Sequence, residues 1–321
     1  MDEEVRRERR QEARRRVYRR RRLVAGGVAG VVVLLLVAGG LLLGAGGGDD
    51  EPEVNPETRP AELPRGGRTI LPDRRVVAFY GAPQDRELGV LGIGSPARAA
   101  RRLERQARPY MRRGRPVLPA FELIAAIVTN EAGDGGDHSI RQEPETIRRY
   151  LRAARKHRLL LLLDIQPGYA PFLQEAKALE RWLREPDVGL ALDPEWSMKP
   201  PLLPAQEIGS TDAATINEVS RYLSGLVRSH DLPQKLLVVH RFTGDMIENE
   251  EQLERHPGVA LVVNVDGFGD QPNKISKYNE FTRGRRDRHH GFKLFYKEDL
   301  NLMNPRKVLR LRPQPDLVVY E

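Results

Sequence analysis

Short runs of apolar residues recur along residues 70–321 and set the expected architecture. The runs are VVAFY (76–80), VLPAFEL (117–123), LLLLLD (159–164), VGLALD (188–193), LLVVH (236–240), ALVVNVD (260–266), FKLFY (292–296) and LVVY (317–320). Continuous apolar runs without strict alternation are typical of strands buried on both faces of a parallel sheet. The pattern therefore predicts eight buried strands.

Amphipathic segments separate most of these runs. Helical periodicity predicts helices over 96–112, 144–157, 171–184, 212–229 and 246–255, and the last three connections carry the weaker signals. Eight strands joined by helices over about 250 residues have the rhythm of an α/β fold of the (β/α)8, TIM-like barrel type. An open doubly wound sheet is the alternative, but the glycine-rich stretch 89–94 does not follow a strand directly and is a weak dinucleotide motif.

A second pattern precedes the barrel. Leu23–Leu43 contains no charged residue, and 21 residues at ~1.5 Å each span a hydrocarbon core of ~30 Å. The Arg cluster lies directly before this run, and Asp49 and Asp50 follow it, so the positive-inside rule places the N-terminus in the cytoplasm. We therefore expect a cytoplasmic basic tail (1–22), one transmembrane helix (23–45), a disordered spacer rich in Pro and acidic residues (46–69) and an extracytoplasmic barrel domain (70–321) in the cell membrane. A cleaved signal peptide is the alternative.

The charge distribution narrows the choice of partners. The chain has 53 Lys and Arg against 45 Asp and Glu, a net charge of +8. Residues 1–22 hold eleven Arg and five acids, or +6, so the remaining chain carries only +2. This placement predicts membrane lipid as a partner of residues 1–45 and no nucleic-acid partner. The chain has no cysteine, which excludes a disulfide scaffold and a thiol nucleophile.

The barrel fold indicates where functional residues should lie, because catalytic groups of TIM barrels come from the C-terminal ends of the strands. Sampling these ends gives Tyr80, Glu122, Asp164, Gln166, Asp193, Glu195, His240, Arg241, Asn264, Asp266, Tyr296 and Tyr320. Polar or aromatic residues thus follow nearly every apolar run. The pattern favours a functional cleft over ordinary solvent-facing strand ends.

The sharpest feature is Asp193-Pro194-Glu195-Trp196 at the end of the fourth run. If the strand continues, Asp193 and Glu195 both face the barrel mouth, ~6–7 Å apart. Two carboxyl groups that close do not ionise independently, so one can retain a proton and act as a general acid. Alternatively, Asp193 caps a turn and Glu195 pairs with Arg241.

An Asp-x-Glu at the tip of the fourth strand resembles glycoside hydrolases of N-acetylhexosamine polymers, namely the chitinase-like enzymes and the barrel muramidases. The resemblance implies that Glu195 is the acid and that Asp193 orients the substrate acetamido group, which attacks the anomeric carbon in a retaining, substrate-assisted reaction. The sequence departs from these families at two places. The chitinase pattern has further Asp residues just before the Asp-x-Glu, but residues 189–191 contain none. The muramidases carry an Asp on the first strand, which here ends in Tyr80. The whole layout also resembles membrane-anchored or secreted bacterial proteins.

The remaining strand-end residues fit a sugar cleft. Tyr80, Trp196 and Tyr296 can stack on sugar rings. Asp164, Gln166, Asn264 and Asp266 can bind hydroxyl groups, and His240 and Arg241 can hold an anion. Glu122, inside an apolar strand, needs a partner.

A metal site is the rival chemistry, in which Glu122, Asp193, Glu195, His240 and Asp266 converge on a divalent ion. No ligand spacing supports it, because neither His-x-His nor His-Glu-x-x-His is present. We therefore expect no metal and no cofactor. The sequence predicts a glycosidase-like protein acting on a cell-envelope glycan; a barrel that binds the glycan without cleaving it is the alternative.

Overall fold

The computed structural model describes residues 60–133, 135–204, 206–285 and 287–321. The basic tail, the expected transmembrane segment 23–45 and residues 46–59 of the expected spacer lie outside the described residues. Within the described ranges, no helix is both long enough and apolar enough to cross a bilayer.

Eight parallel strands close into a barrel. The described strands in chain order are β1 Arg75–Gly81, β2 Val117–Val128, β3 Ser139–Arg141, β4 Leu160–Ile165, β5 Val188–Leu192, β6 Thr211–Asp212, β7 Lys235–Arg241, β8 Ile247–Glu248, β9 Val259–Val265, β10 His289–Leu294 and β11 Leu317–Tyr320. Around the barrel the order is β1-β2-β4-β5-β7-β9-β10-β11, and β11 pairs with β1. β3 pairs antiparallel with β2, and β6 pairs with β8. The predicted TIM-like barrel is confirmed, with all eight runs in the barrel.

Helices surround the barrel. They span Pro96–Ala107, Pro144–Lys156, Phe172–Ala178, Glu180–Leu183, Ala213–Ser229, Gln271–Thr282 and Pro305–Val308. The first begins at Ser95, whose side chain accepts a hydrogen bond from the Arg98 amide, and has Pro96 at its first position. The expected helix over 171–184 is divided at Leu179.

The helix predicted over 246–255 is wrong. Residues 247–248 form β8, and Glu250–Gln252 form a single 3-10 turn after Asn249, which has a left-handed backbone with φ 53°. Glu250 is buried, where Arg241, Arg285 and Arg288 contact its carboxylate. These tertiary ion pairs outweigh the local helical pattern.

The helix Gln271–Thr282 was not predicted. It starts at Asp270, whose side chain accepts from the Asn273 amide, and Pro272 lies in its first turn. Its buried side chains include Lys274 and Tyr278. Lys274 on the buried face interrupts the apolar periodicity, so the Asp270 cap is the better sequence indication of this helix.

Alternate residues of each barrel strand face the interior. On β2 these are Leu118, Ala120 and Glu122, and on β4 they are Leu160, Leu162 and Asp164; the intervening residues pack outward against the helices. Because both faces are buried, the strands read as continuous apolar runs.

Glycines make room inside the barrel. A Cβ at Gly189 on β5 would lie 2.7 Å from Leu162 Cδ2, and a Cβ at Gly291 on β10 would lie 2.1 Å from Asn264 Oδ1. Small residues at these points let larger side chains of neighbouring strands meet across the interior.

Residues 60–74 close the barrel at the end where the strands begin. Leu63, Ile70 and Leu71 are buried in one apolar cluster with the interior residues of the strands. The amides of Ile70 and Leu71 donate to Gln234 Oε1 at 2.7 and 3.0 Å. Residues 60–69, which the sequence assigned to a disordered spacer, therefore pack against the barrel, because Leu63 supplies apolar surface that the acidic stretch before it lacks.

Candidate functional site

The third interior position of most barrel strands carries a polar side chain. These positions lie at the C-terminal ends of the strands and are occupied by Tyr80, Glu122, Asp164, His240, Asn264, Lys293 and Glu321. All but Glu321 are less than 4% exposed. The same strands that begin with apolar interior residues therefore end in a buried polar layer.

His240 lies between two carboxylates. Its Nε2 is 2.7 Å from Glu122 Oε1, and its Nδ1 is 3.1 and 3.0 Å from the two carboxylate oxygens of Asp266. Asn264 Nδ2 donates to Asp266 Oδ1 at 2.6 Å. Glu122 thus has the partner that its burial requires, and it is a histidine from across the barrel.

Lys293 is the second cation of the layer. Its Nζ forms ion pairs with Asp266 at 3.1 Å and with Glu321 at 2.8 Å. The same ammonium lies 3.8 Å from the centroid of the Tyr80 ring, within the range of a cation–π contact. Lys293 therefore ties the ends of β1, β9 and β11 together.

Tyr80 connects the first strand to β4. Its hydroxyl donates to Asp164 Oδ2 at 3.0 Å and accepts from Gln166 Nε2 at 3.2 Å. Its ring meets His240 edge-on, with the centroids 5.9 Å apart. Predicted site residues from β1, β4 and β7 are therefore brought together.

Asp193 and Glu195 are both buried beside this layer, at 5% and 4% exposure. The strand-like spacing expected for them is wrong, because β5 ends at Leu192 and Pro194–Trp196 form a 3-10 turn. Trp196 is also buried and packs with Val128. The loop that follows covers this turn, since the Gly209 amide donates to the Glu195 carbonyl at 2.8 Å.

Two predicted residues lie away from the polar layer. Arg241 points outward, where its guanidinium pairs with Glu250 and lies 4.2 Å from the Phe281 ring centroid. Tyr296 follows β10, is 39% exposed and stacks on Tyr320 with the ring centroids 5.4 Å apart. Arg241 thus has its partner outside the barrel, while Tyr296 remains accessible to solvent.

The acidic groups in and beside the polar layer fall into two classes, those whose pKa is lowered and those whose pKa is raised. Burial would raise the pKa of Asp266, but the charges of His240 and Lys293 hold it below its usual value. Burial raises the pKa of Asp164 to about 7 despite the opposing effect of His240. Burial and the charge of Asp164 raise the pKa of Asp193 well above its usual value.

The two cations keep their protons. Burial alone would lower the pKa of His240, but Asp266 and Glu122 raise it well above its usual value. Lys293 behaves likewise, since Asp266 and Glu321 overcome the effect of burial and raise its pKa. The layer therefore holds proton donors and acceptors within reach of one another, which is the arrangement that acid–base chemistry requires.

Lys293 and Glu321 were missed by the sequence reasoning. The signal for Lys293 was present, because a lone cation stands inside the apolar run FKLFY just as Glu122 stands inside VLPAFEL. Glu321 follows the last run directly and occupies the next interior position after Val319.

No protein-family model matches the chain, and a comparison with curated proteins finds no match. Among solved structures, 2,3-dimethylmalate lyase, described as a PEP mutase/isocitrate lyase superfamily member, is 9% identical with a TM-score of 0.45, covering 78% of this chain and 76% of the other. Sialic acid aldolase of Ruminococcus gnavus is 11% identical with a TM-score of 0.37, covering 77% and 68%. ZgEngAGH5_4 in complex with a cellotriose is 10% identical with a TM-score of 0.37, covering 71% and 80%. Barrels host many unrelated chemistries, so the activity has to be argued from the site itself.

Proposed function

We propose that this protein is a membrane-anchored, extracytoplasmic glycoside-hydrolase-like barrel that acts on a glycan of the cell envelope. The observation that carries the proposal is the position of Asp193 and Glu195, two buried carboxyl groups at the end of β5 beside the polar layer. Strand ends at this edge of a TIM barrel are where catalytic groups lie.

In the proposed reaction, Glu195 gives its proton to the glycosidic oxygen as the bond to the anomeric carbon breaks. Asp193 orients the acetamido group of the substrate, whose oxygen attacks the anomeric carbon. This attack closes a ring between the acetamido group and the anomeric carbon. Water then attacks the anomeric carbon, opens that ring and gives a proton to Glu195, so the configuration is retained. Asp164, Gln166 and Asn264 would bind the sugar hydroxyls.

A glycan-binding barrel without catalysis is the second candidate, and the enclosure of the site favours it. Asp193, Glu195 and Trp196 are each less than 7% exposed, and the segment around Gly209 lies against their turn. A polymer reaches these groups only when the loops over the mouth move apart.

The two candidates are separated by measuring binding and cleavage independently. The purified protein is incubated with defined envelope glycans, and reducing-end release is scored beside affinity. If Glu195 is the acid, Glu195→Gln lowers turnover ~10²- to 10⁴-fold and preserves affinity. Trp196→Ala lowers affinity, and Glu207→Gln, on an exposed loop, serves as the charge-matched control. Tight binding without release by the unmodified protein supports the non-catalytic barrel.

The orientation has its own test, made possible by the absence of cysteine. A single cysteine at the exposed position Arg113→Cys is expected to react with a membrane-impermeant maleimide in intact cells. A cysteine at Arg10→Cys is expected to react only after lysis. The reverse pattern removes both the proposed topology and the envelope glycan.

A further inference from the structure

Three potential metal ligands converge inside the barrel. Glu122 on β2, Asp164 on β4 and His240 on β7 each place one ligand atom within 4.8 Å of the others. All three side chains are at most 1% exposed. Because they come from three separate strands, no short sequence motif links them.

Two oxygens of this group lack a partner in the structure. Glu122 Oε2 and Asp164 Oδ1 are buried and accept no hydrogen bond. Burying such an oxygen is unfavourable when it is left unpaired. Each of these residues does have a partner at its second oxygen, His240 for Glu122 and Tyr80 for Asp164. The unpaired oxygens therefore point to a ligand and not to a mispacked side chain.

The surroundings of His240 are those of a metal ligand held by outer groups. Its Nδ1 faces Asp266, and Asp266 is in turn held by Asn264 at 2.6 Å and by Lys293 at 3.1 Å. This support fixes the imidazole ring and leaves Nε2 directed at Glu122. Histidine ligands of metals usually donate their second nitrogen to a carboxylate in this way.

We propose that Glu122, Asp164 and His240 Nε2 form a binding site for a divalent first-row metal ion, with Mn²⁺ or Zn²⁺ fitting best. Two carboxylates and one imidazole suit such ions better than Ca²⁺, which prefers oxygen ligands alone. On binding, His240 releases the Nε2 proton to solvent, and the ion replaces the His240–Glu122 hydrogen bond.

The geometry requires little movement. Donor atoms that lie ~2.0–2.2 Å from one ion are roughly 3–4 Å apart, and the three donor atoms here already lie within 4.8 Å of one another, so small side-chain shifts suffice. Three protein ligands leave further coordination positions for water or for a substrate oxygen. The metal site shares Asp164 with the proposed glycan site, but the proposed hydrolysis uses no metal, so metal binding can be measured without a glycan.

The test uses the full chain, treated with a chelator and then titrated with Mn²⁺ by calorimetry and electron paramagnetic resonance. We expect one ion per chain and a rise in melting temperature on binding. Asp164→Asn and Glu122→Gln should each weaken Mn²⁺ binding at least ~10-fold, and Asp266→Asn ~10- to 100-fold through the loss of ring support. Binding of Zn²⁺, measured in the same way, checks the preferred ion.

Glu321→Gln is the matched control, because it removes one carboxylate charge from the Lys293 side of the layer. Its affinity should stay within about threefold of the unmodified protein, since Glu321 pairs with Lys293 and is not one of the three ligands. Nitrogen coupling in the Mn²⁺ spectrum should disappear in His240→Gln and persist in Asp266→Asn. The proposal is overturned if neither ion binds stoichiometrically at micromolar concentration, or if Glu321→Gln weakens binding as much as Asp164→Asn.

Discussion

At the end of the barrel where the strands begin, the interior is filled by Leu118, Leu160, Leu236 and Leu317 and is closed by residues 60–74. At the other end, the same strands present Glu122, Asp164, His240 and Glu321. The chain thus concentrates buried apolar area at one end and buried charge at the other. Such a division lets the charged end carry unpaired groups, because the apolar end supplies the stability.

Two buried lysines show the difference in a single residue type. Lys235, at the start of β7, is 1% exposed and donates to the carbonyls of Glu185 and Val188. Lys293, near the end of β10, is 2% exposed and contacts two carboxylates. Burial lowers the pKa of Lys235 to about 7, whereas the carboxylates raise the pKa of Lys293. The two lysines are about equally buried, so their opposite pKa shifts come from their different partners, carbonyl groups for Lys235 and carboxylates for Lys293.

The largest expected effect comes from opening a cavity at the apolar end. Leu118→Ala removes a fully buried side chain and should lower the free energy of unfolding by ~2–5 kcal/mol. Chemical denaturation measures the change. Leu300→Ala, at a position 65% exposed, should change stability by less than ~0.5 kcal/mol. A similar loss in both variants would mean that the apolar end is no special source of stability.

The next effect tests the closing segment, residues 60–74, which covers the end of the barrel where the strands begin. Gln234→Ala removes the acceptor for the amides of Ile70 and Leu71 and should cost ~1–3 kcal/mol. Gln234→Glu keeps a side-chain oxygen there and should retain most of the stability. Hydrogen exchange of these two amides should speed up only in the alanine variant. Unchanged exchange would show that the apolar contacts alone hold the segment.

The lysine comparison predicts a pH dependence. Above about pH 7 the folded protein releases the Lys235 proton, while the unfolded chain keeps it up to about pH 10. The unfolded state then binds more protons, so stability rises with pH over this window, by at most ~1.4 kcal/mol per unit. Lys235→Met should flatten this part of the stability curve, measured by denaturation at pH 7, 8 and 9. A slope equal to that of the unmodified protein would contradict the lowered pKa.

The smallest effect belongs to the charged end. Tyr80→Phe keeps the ring beneath Lys293 but removes the hydroxyl that Asp164 and Gln166 contact. We expect a loss of ~0.5–1.5 kcal/mol in the free energy of unfolding. Thermal melts of Tyr80→Phe and Tyr169→Phe, whose hydroxyl is exposed, provide the comparison. A loss above that of Leu118→Ala would reverse the order of the two ends.

The barrel was predictable because burial on both faces leaves a strong local mark, the continuous apolar run. Tyr80, Glu122 and His240 were also found, since each ends or interrupts such a run. Their pairing was not, because the contact between Glu122 and His240 joins residues 118 positions apart. The placement of Glu195 failed for a different reason: Pro194 begins a turn, and a turn breaks the alternation on which the expectation rested.

The closing segment also fixes how the molecule is presented. Leu63 lies at the apolar end, so the upstream chain leaves the barrel there, on the side opposite the polar layer. Any surface that holds the upstream chain therefore faces the closed base, and the mouth opens away from it.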